Sequence, residues 1–195
     1  PAGGLAQRRA LTGYVMDDNS IRTAVTTWFD DQSAAEATYG HISTWETSGV
    51  TDMSYLFSAC DWDSRCNSAA ASFNEDIGAW DTSGVTTMWR MFAASSFNQD
   101  IGGWAVQSVT DMHQMFNSAS SFNQNIGGWS VGQVTNMHYM FHYASAFNQD
   151  IGGWRVEQVT DMSYMFHWAS AFDQDLSSWE TSGVTNMHQM FSWAS

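Results

Sequence analysis

The sequence has little positive charge. Its 195 residues include 20 Asp and Glu but only six basic residues, all of them Arg, so the formal net charge is −14. Nucleic-acid binding depends on cationic contacts with phosphate, and anionic membranes attract basic segments. The shortage of cations therefore disfavours DNA, RNA and anionic membrane surfaces as partners.

Long hydrophobic runs are also missing. No apolar stretch approaches the roughly 20 residues that a membrane-spanning helix needs, so we expect no membrane insertion. Charged residues make up only 13% of the chain, whereas hydrophobic residues make up 44% and aromatic residues 15%. This composition favours a packed core over a disordered tail. The length predicts one domain or one elongated array.

Tryptophan recurs at a nearly constant spacing. The gaps between the marker tryptophans are 35, 24, 25, 25 and 25 residues, and the markers are Trp45, Trp80, Trp104, Trp129, Trp154 and Trp179. The unit is therefore 25 residues long, with one ten-residue insertion and one single deletion. A unit this small cannot bury its apolar face alone, so we expect neighbouring units to stack.

Each unit is predicted to contain one short helix and one short strand. In the unit that starts at Trp129, apolar residues follow a helical period at Val134, Met137, Met140, Phe141 and Ala144. Thr135 and Asn136 supply capping oxygens at the start of this helix. Residues 147–154 are predicted to form a turn and a short strand, with Phe147, Ile151 and Trp154 pointing inward.

Residues 1–38 precede the repeats and are predicted to cap them. An amphipathic pattern indicates a helix at about 20–30, with Asn19 or Ser20 as its N-cap. A short turn is expected at 33–38, followed by a strand near Tyr39. Residues 39–195 are predicted to form the repeat array, with the insertion around 58–70 and an incomplete last repeat. At that last repeat, either the natural protein continues or the open end pairs with another molecule.

The repeat motif resembles that of a known family. The motifs V-T-D-M-x-x-M-F and F-N-Q-D-I-G-x-W are similar to those of the BspA-like leucine-rich-repeat surface proteins, and the match covers about 39–195. The resemblance implies an α/β solenoid related to leucine-rich repeats. It also implies a secreted or surface-attached protein, often adhesive, with no catalytic activity. The family has no common functional residues, so the resemblance supplies no site.

Cys60 and Cys66 both lie within the insertion. We expect them to close a small loop as a disulfide, which requires an oxidising compartment; the alternative is two free thiols. A zinc site would need two further ligands near the loop, and none is evident. The CxxC spacing of redox motifs is absent.

Histidine and acidic residues recur in columns that raise the question of metal binding. His138 and His142 would share one helical face, as a pair of metal ligands requires. At the repeat spacing, His138 belongs to a column with His113 and His188, which Ser163 interrupts. His142 belongs to a second column, which His167 continues. A calcium ladder at Asp100, Asp150 and Asp175 is a further candidate. We favour the alternatives, which are solvent-facing histidines and Asp or Asn residues that close turns. No cofactor is expected.

Aromatic residues accumulate outside the predicted core in the later units. These candidates for partner binding or assembly, which we call the aromatic stripe, are Tyr139, Tyr143, Tyr164, Trp168 and Trp193. Earlier units have Ala94 and Ser118 where Tyr143 and Trp168 stand. Exposed aromatic residues favour contacts with proteins or sugars, whereas the alternative is an outer layer that packs over neighbouring units.

The repeating carboxylates do not form the unique pocket that catalysis requires, so we expect no enzyme. The sequence predicts an extracellular structural or adhesive protein that makes protein–protein contacts or assembles with itself, at a cell surface or in a filament. The alternative is recognition of a polysaccharide or of ice through a flat repeat face. It rests on an unbroken threonine column, namely Thr51, Thr86, Thr110, Thr135, Thr160 and Thr185. The discriminating observation is whether these hydroxyls are hydrogen-bonded to the backbone.

Overall fold

The computed structural model describes residues 14–60 and 63–194. In chain order the elements are β1 (Val15–Asp17), α1 (Asp18–Asp30), α2 (Gln32–Tyr39), a 3-10 helix at Ile42–Thr44, β2 (Glu46–Gly49) and a second 3-10 helix at Ser68–Ser72. β1 and β2 pair in parallel as a two-stranded sheet. Within these described ranges, no helix is long and apolar enough to cross a membrane.

The segment before the repeats contains two helices instead of one. The side chain of Asp17 caps α1 by accepting hydrogen bonds from the backbone N–H groups of Asn19 and Ser20, so the helix begins earlier than predicted. Residues 33–38, predicted as a turn, belong to α2, whose C-cap residue Gly40 has a φ of +79°. The strand expected near Tyr39 is replaced by β2, which starts at Glu46. Residues 1–13 of the predicted cap lie outside the described residues.

Backbone hydrogen bonds join each repeat to the next. Successive repeats share isolated parallel bridges, which are Asp52–Thr87, Thr87–Asp111, Asp111–Asn136, Asn136–Asp161 and Asp161–Asn186. Four alternate N–H groups then donate to carbonyl groups of the following repeat. In one repeat the bonds are Met137 to Asp161 and Tyr139 to Ser163, both 3.0 Å, and Phe141 to Met165 and Tyr143 to His167, both 2.9 Å.

The predicted helix in each repeat is wrong. Among the described residues after Tyr39 there is no α-helix, and residues 137–144 form consecutive turns. Met140 and Ala144 each donate to the carbonyl group three residues earlier. Tyr139 and Tyr143 both have a φ of 56°, in the left-handed region, which interrupts a right-handed helix. The N–H groups of Tyr139, Phe141 and Tyr143 donate to carbonyl groups of the next repeat. They are therefore not available for the hydrogen bonds of an α-helix.

The burial predicted for the unit that starts at Trp129 is nevertheless confirmed, whereas in the last repeat the equivalent Met187 and Phe191 are exposed. The five positions assigned to the helical face and the inward positions Phe147 and Ile151 are 0% exposed, and Trp154 is 2% exposed. Residues 147–154 form no strand, and the parallel bridges lie instead at Asn136 and its equivalents. A series of turns can bury apolar residues at the same sequence spacing as a helix does. For short apolar segments, periodicity alone therefore does not show which conformation the backbone adopts.

Stacked aromatic rings fill the interior. Phe141 stacks on Phe147 within its repeat at 4.0 Å between ring centroids, and on Phe116 and Phe166 of the flanking repeats at 5.6 Å each. The Trp154 indole Nε1 donates to the carbonyl group of Ile126 at 3.1 Å. The indoles of Trp80, Trp104, Trp129 and Trp179 donate in the same way to an isoleucine carbonyl of the preceding unit, which ties the aromatic core to the order of the stack.

Candidate functional site

The threonine column is bonded to the backbone along its length. The hydroxyl of Thr135 donates to the carbonyl of Thr110 at 3.2 Å, and Thr160 donates to Thr135 in the same way. The carboxylate of Asp18 begins this ladder, since it accepts from the backbone N–H and the hydroxyl of Thr51, both at 2.7 Å. These hydroxyl protons serve the contacts between repeats, so the column offers fewer free donors to ice or to a sugar.

An asparagine column also joins neighbouring repeats, and its members are Asn74, Asn98, Asn123 and Asn148, with Asp173 in the next repeat. The side-chain oxygen of Asn98 accepts from the backbone N–H of Asn123 at 2.9 Å, and Asn123 accepts from Asn148 at the same distance. Gln124 adds a bond from its Nε2 to the carbonyl group of Asn98. These side chains therefore satisfy backbone groups of neighbouring repeats, 25 or 26 residues away, instead of closing a local turn.

The proposed calcium ladder consists of carboxylates that each close a local turn. Asp100 and Asp150 accept from the N–H of the glycine two residues later, at 2.9 Å each. Asp175 accepts from Ser177 at 2.8 Å, and this hydrogen bond lowers the pKa of the carboxyl group. In the part of the chain that the structure describes, no group of three or more His, Cys, Asp or Glu side chains could hold a metal ion. Calcium binding at Asp100, Asp150 and Asp175 remains an untested candidate, and each of these carboxylates already accepts a local hydrogen bond.

The histidine pair considered for zinc or copper does not converge. The Nδ1 of His138 lies 2.6 Å from the hydroxyl of Ser163 in the next repeat. The Nδ1 of His142 lies 3.3 Å from the Oδ1 of Asn117 in the preceding repeat, and its ring stacks on His167 at 5.1 Å. The two rings bond in opposite directions along the stack, because the helix that would have aligned them is absent.

The aromatic stripe forms two stacked sets of rings. Tyr139 and Tyr164 stack at 4.5 Å between centroids. Trp168 stacks between Tyr143, at 5.8 Å, and Trp193, at 5.0 Å. Tyr143 is 45% exposed, Trp168 39% and Trp193 68%, whereas Tyr139 and Tyr164 are half-buried.

This stacking determines which parts of the rings a partner can reach. Trp168 has one face against Tyr143 and the other against Trp193, with interplanar angles of 6° and 9°. Its exposed surface is therefore an edge, which suits an apolar or hydrogen-bonding contact with protein. Sugar recognition by stacking would need a free ring face, which Trp168 does not offer.

The insertion is closed by a disulfide between Cys60 and Cys66, whose Cα atoms lie 5.2 Å apart. At its base, the N–H of Asn67 donates to the carbonyl of Ser58 at 2.9 Å. Inside the loop, Arg65 pairs with Asp63, and its guanidinium carbon lies 4.1 Å from the centroid of the Tyr55 ring. Hydrogen bonding from Arg65 holds the pKa of the Asp63 carboxyl group well below its usual range.

Sequence reasoning missed the arginines that lie beside this loop. Arg22 of α1 bonds to the carbonyl groups of Ser54 and Asp52, and Arg65 contacts Trp89 as well as Tyr55. The bonds of Arg22 span 32 and 30 residues, and the contacts of Arg65 also reach outside the insertion, so no local spacing reveals them. A usable signal was the position of Arg65, one of only six cations in the chain, inside the insertion that interrupts the repeat.

Hydrogen-bonded stacking of short units defines this chain as a repeat protein, and comparison with known proteins identifies its family. The model of the family DUF285, described as Mycoplasma protein of unknown function, matches residues 23–138 and 93–195. The chain therefore belongs to the DUF285 family. Neither the curated proteins nor the solved structures include a significant match.

Proposed function

We propose that the chain is a non-enzymatic extracellular repeat protein that makes protein–protein contacts, including contacts with its own copies. In this proposal the repeats form a solenoid of the BspA-like, leucine-rich-repeat-related type and act at a cell surface or in a filament. The family match and the repeating contacts between units support such a module. The Cys60–Cys66 disulfide suits an oxidising, extracellular location.

The exposed part of the aromatic stripe carries the proposal. The threonine and asparagine columns are engaged between repeats, so they are less available to a partner. At the stripe, by contrast, Tyr143, Trp168 and Trp193 keep large exposed surfaces. Aromatic residues are enriched where proteins meet, because they combine apolar area with few rotatable bonds.

The test replaces the stripe with residues that the fold already accepts at that position. Ser118 occupies the same column with a φ of 60°, close to the 56° of Tyr143, 60° of Trp168 and 62° of Trp193. The variant with Tyr143→Ser, Trp168→Ser and Trp193→Ser should therefore keep the backbone. A matched control carries Ser120→Ala, Ser145→Ala and Ser170→Ala in an adjacent exposed column.

Association is measured by light scattering and negative-stain microscopy in near-seawater salt, with and without calcium. We expect the unmodified chain and the control to form oligomers or rods longer than one chain, and the stripe variant to be monomeric. A strictly monomeric parent, or equal association of all three proteins, would contradict self-assembly through the stripe. A calcium requirement for assembly would revive the acidic ladder.

Recognition of a polysaccharide or of ice is the alternative function. Glycan arrays and ice-recrystallisation assays test it with the same proteins and a Thr110→Val, Thr135→Val, Thr160→Val variant. The hydrogen bonds from these hydroxyls to backbone carbonyl groups give this alternative less support than the stripe gives to protein contacts. Binding that is lost in the threonine variant and kept in the stripe variant would favour it.

A further inference from the structure

A small cleft lies between α1, the first repeat and the disulfide-closed insertion. Its volume is about 150 Å³, and its lining includes Arg22, Arg65, Tyr55, Val25, Phe29 and Leu56. This cleft is separate from the aromatic stripe, so its chemistry does not depend on how the chain assembles.

Positive charge is concentrated at this cleft. Four arginines fall within the described residues, and two of them, Arg22 and Arg65, line it. A third, Arg90, has its guanidinium carbon 5.7 Å from the ring of Tyr55 at the cleft wall. No Asp or Glu is among the described residues that line the cleft, although the chain contains 20 of them. The cleft therefore brings guanidinium groups together on a strongly negative protein, although Asp52 and Asp63 pair with Arg22 and Arg65.

Arg22 is held in place by groups outside the cleft. Its Nη1 donates to the carbonyl of Ser54 at 2.8 Å, and its Nη2 donates to the carbonyl of Asp52 at 3.1 Å. The carboxylate of Asp52 lies 3.1 Å from the same Nη2. These bonds use part of the five N–H donors of a guanidinium, so donors remain for a ligand while the side chain is already ordered.

Arg65 is held in a similar way from the loop. Its Nε and Nη2 donate to the two carboxylate oxygens of Asp63 at 3.0 and 2.6 Å. Its guanidinium carbon also lies 4.1 Å from the ring centroid of Tyr55 and 4.8 Å from that of Trp89. Because the pairing with Asp63 uses the Nε and Nη2 edge of the guanidinium, it leaves the Nη1 group out. The disulfide and the aromatic contacts thus hold a cation at the rim of the cleft.

Part of the cleft lining is apolar, and α1 supplies Val25 and Phe29 to it as well as Arg22. Val25 and Leu56 are each 5% exposed, and Phe29 packs against the hydrophobic core as a partly buried ring. An inorganic anion would leave these apolar side chains in contact with water. A ligand that suits the whole lining combines one charged group with a compact apolar body.

We propose that this cleft binds a small organic carboxylate, with the carboxylate between Arg22 and Arg65 and the apolar body against Val25, Phe29 and Leu56. Asp52 and Asp63 offset part of the charge of the two arginines, which favours a monoanion over a phosphate dianion. Guanidinium groups match the planar, two-oxygen geometry of a carboxylate. The volume lies below the 300–1,000 Å³ of sites for drug-sized ligands, so the body is about one ring or one branched chain.

Each chain should contain one such site. The insertion with Arg65 occurs once, and later repeats place Arg90, Gln114, Tyr139, Tyr164 and Gln189 at the position of Tyr55. Titration should therefore give one ligand per chain, in contrast to the several equivalent sites that a binding surface made of repeats would give.

The experiment titrates benzoate into the intact, oxidised chain by calorimetry or by NMR shift perturbation. Benzamide, the neutral isostere, and inorganic sulfate, an anion without an apolar body, are the comparison probes. We expect one benzoate per chain, with a dissociation constant on the order of millimolar. Benzamide and sulfate should bind at least about tenfold more weakly, because each lacks one half of the recognition.

Variants separate recognition from loss of fold. Arg22→Met and Arg65→Met should each weaken benzoate binding by about tenfold or more, and the paired surface residue Arg155 provides the control Arg155→Met. Thr26→Trp keeps both arginines and fills the cleft from the exposed face of α1, so it should abolish binding with an unchanged circular dichroism spectrum. The proposal would be overturned if benzamide or sulfate bound as tightly as benzoate, or if the Thr26→Trp variant bound benzoate as well as the parent does. It would also be overturned if the parent bound no benzoate at a benzoate concentration about tenfold above the expected dissociation constant.

Discussion

The earlier and the later repeats share one interior but differ on one outer surface. Phe92, Phe116, Phe141 and Phe166 are all 0% exposed, although they come from four successive repeats. On the outside, the column that holds Ala94 and Ser118 in the earlier repeats holds Tyr143 and Trp168 in the later ones. All four outer residues keep a φ between 56° and 60°.

The difference separates what stacking requires from what it permits. Inner positions touch the repeats on both sides, so each has to suit two neighbours at once. Outer positions share the backbone geometry while their side chains vary from a methyl group to an indole. Specific recognition is therefore expected to reside in the outer columns and in the segment that interrupts the repeat, which is where both proposed sites lie.

The largest expected effect comes from the shared interior. Phe116→Ala and Phe141→Ala each remove a fully buried ring that stacks on both flanking repeats, so each should lower the free energy of unfolding by about 3–5 kcal/mol. Phe191 occupies the same column but is 49% exposed in this chain, so Phe191→Ala should cost roughly 1 kcal/mol. Urea unfolding followed by circular dichroism measures all three.

Similar losses for Phe116→Ala and Phe141→Ala would support a common interior. A loss at one position that exceeds the other by more than about 2 kcal/mol would show that the two halves are packed differently.

Two adjacent glycines allow a sharper comparison of inner and outer positions. A Cβ atom at Gly102 would lie 2.6 Å from the carbonyl oxygen of Asn125 in the next repeat, whereas one at Gly103 would have nothing within 4 Å. Gly102→Ala should therefore destabilise the chain by about 1–3 kcal/mol, because backbone must move. Gly103→Ala should be neutral or stabilise it by up to about 1 kcal/mol, since alanine restricts the unfolded chain.

Thermal unfolding of this pair requires no further control, since each variant adds the same methyl group one residue apart. Destabilisation of equal size at both positions would mean that the second glycine also has a close neighbour. It would remove the distinction between inner and outer positions at this turn.

Burial could be predicted from the sequence more fully than conformation. The column positions Met137, Met140 and Phe141 are buried because repetition at 25 residues brings like residues together, whatever backbone joins them. The helix prediction was wrong because Tyr139 and Tyr143 adopt a left-handed conformation that is usual for Gly or Asn and unexpected for tyrosine. Hydrogen bonds to the next repeat support this conformation, and local sequence does not reveal them.

The candidate sites also differ in whether they could be located from the sequence. The stripe could be located from the sequence because its members recur at the repeat spacing. The Cys60–Cys66 pair could be located because both cysteines fall in one short insertion. The carboxylate cleft could not, since it brings Arg22 of α1 to Arg65 of the loop through tertiary contacts. The repeat pattern therefore predicts the shared interior, whereas a site that occurs once, such as the cleft, can be located only from the structure.

The smallest expected effect tests the outer columns through pH. Burial, with a further contribution from the nearby His167, lowers the pKa of His142 to about 4. The unfolded state then binds a proton more readily than the folded state as the pH falls from about 6.5 towards 4, so folding stability declines over that range. Because His142 is only half-buried, solvent screening reduces the expected loss to on the order of 1 kcal/mol.

Asn117 occupies the same column in the preceding repeat, so His142→Asn exchanges a later outer residue for an earlier one. The variant should lose less stability than the parent between about pH 7 and pH 5, as measured by urea midpoints at both values. Some dependence should remain, because burial also lowers the pKa values of His138 and His167. An unchanged difference between the two midpoints would show that His142 is solvated in the folded chain, and that the later outer columns are as open to water as the earlier ones.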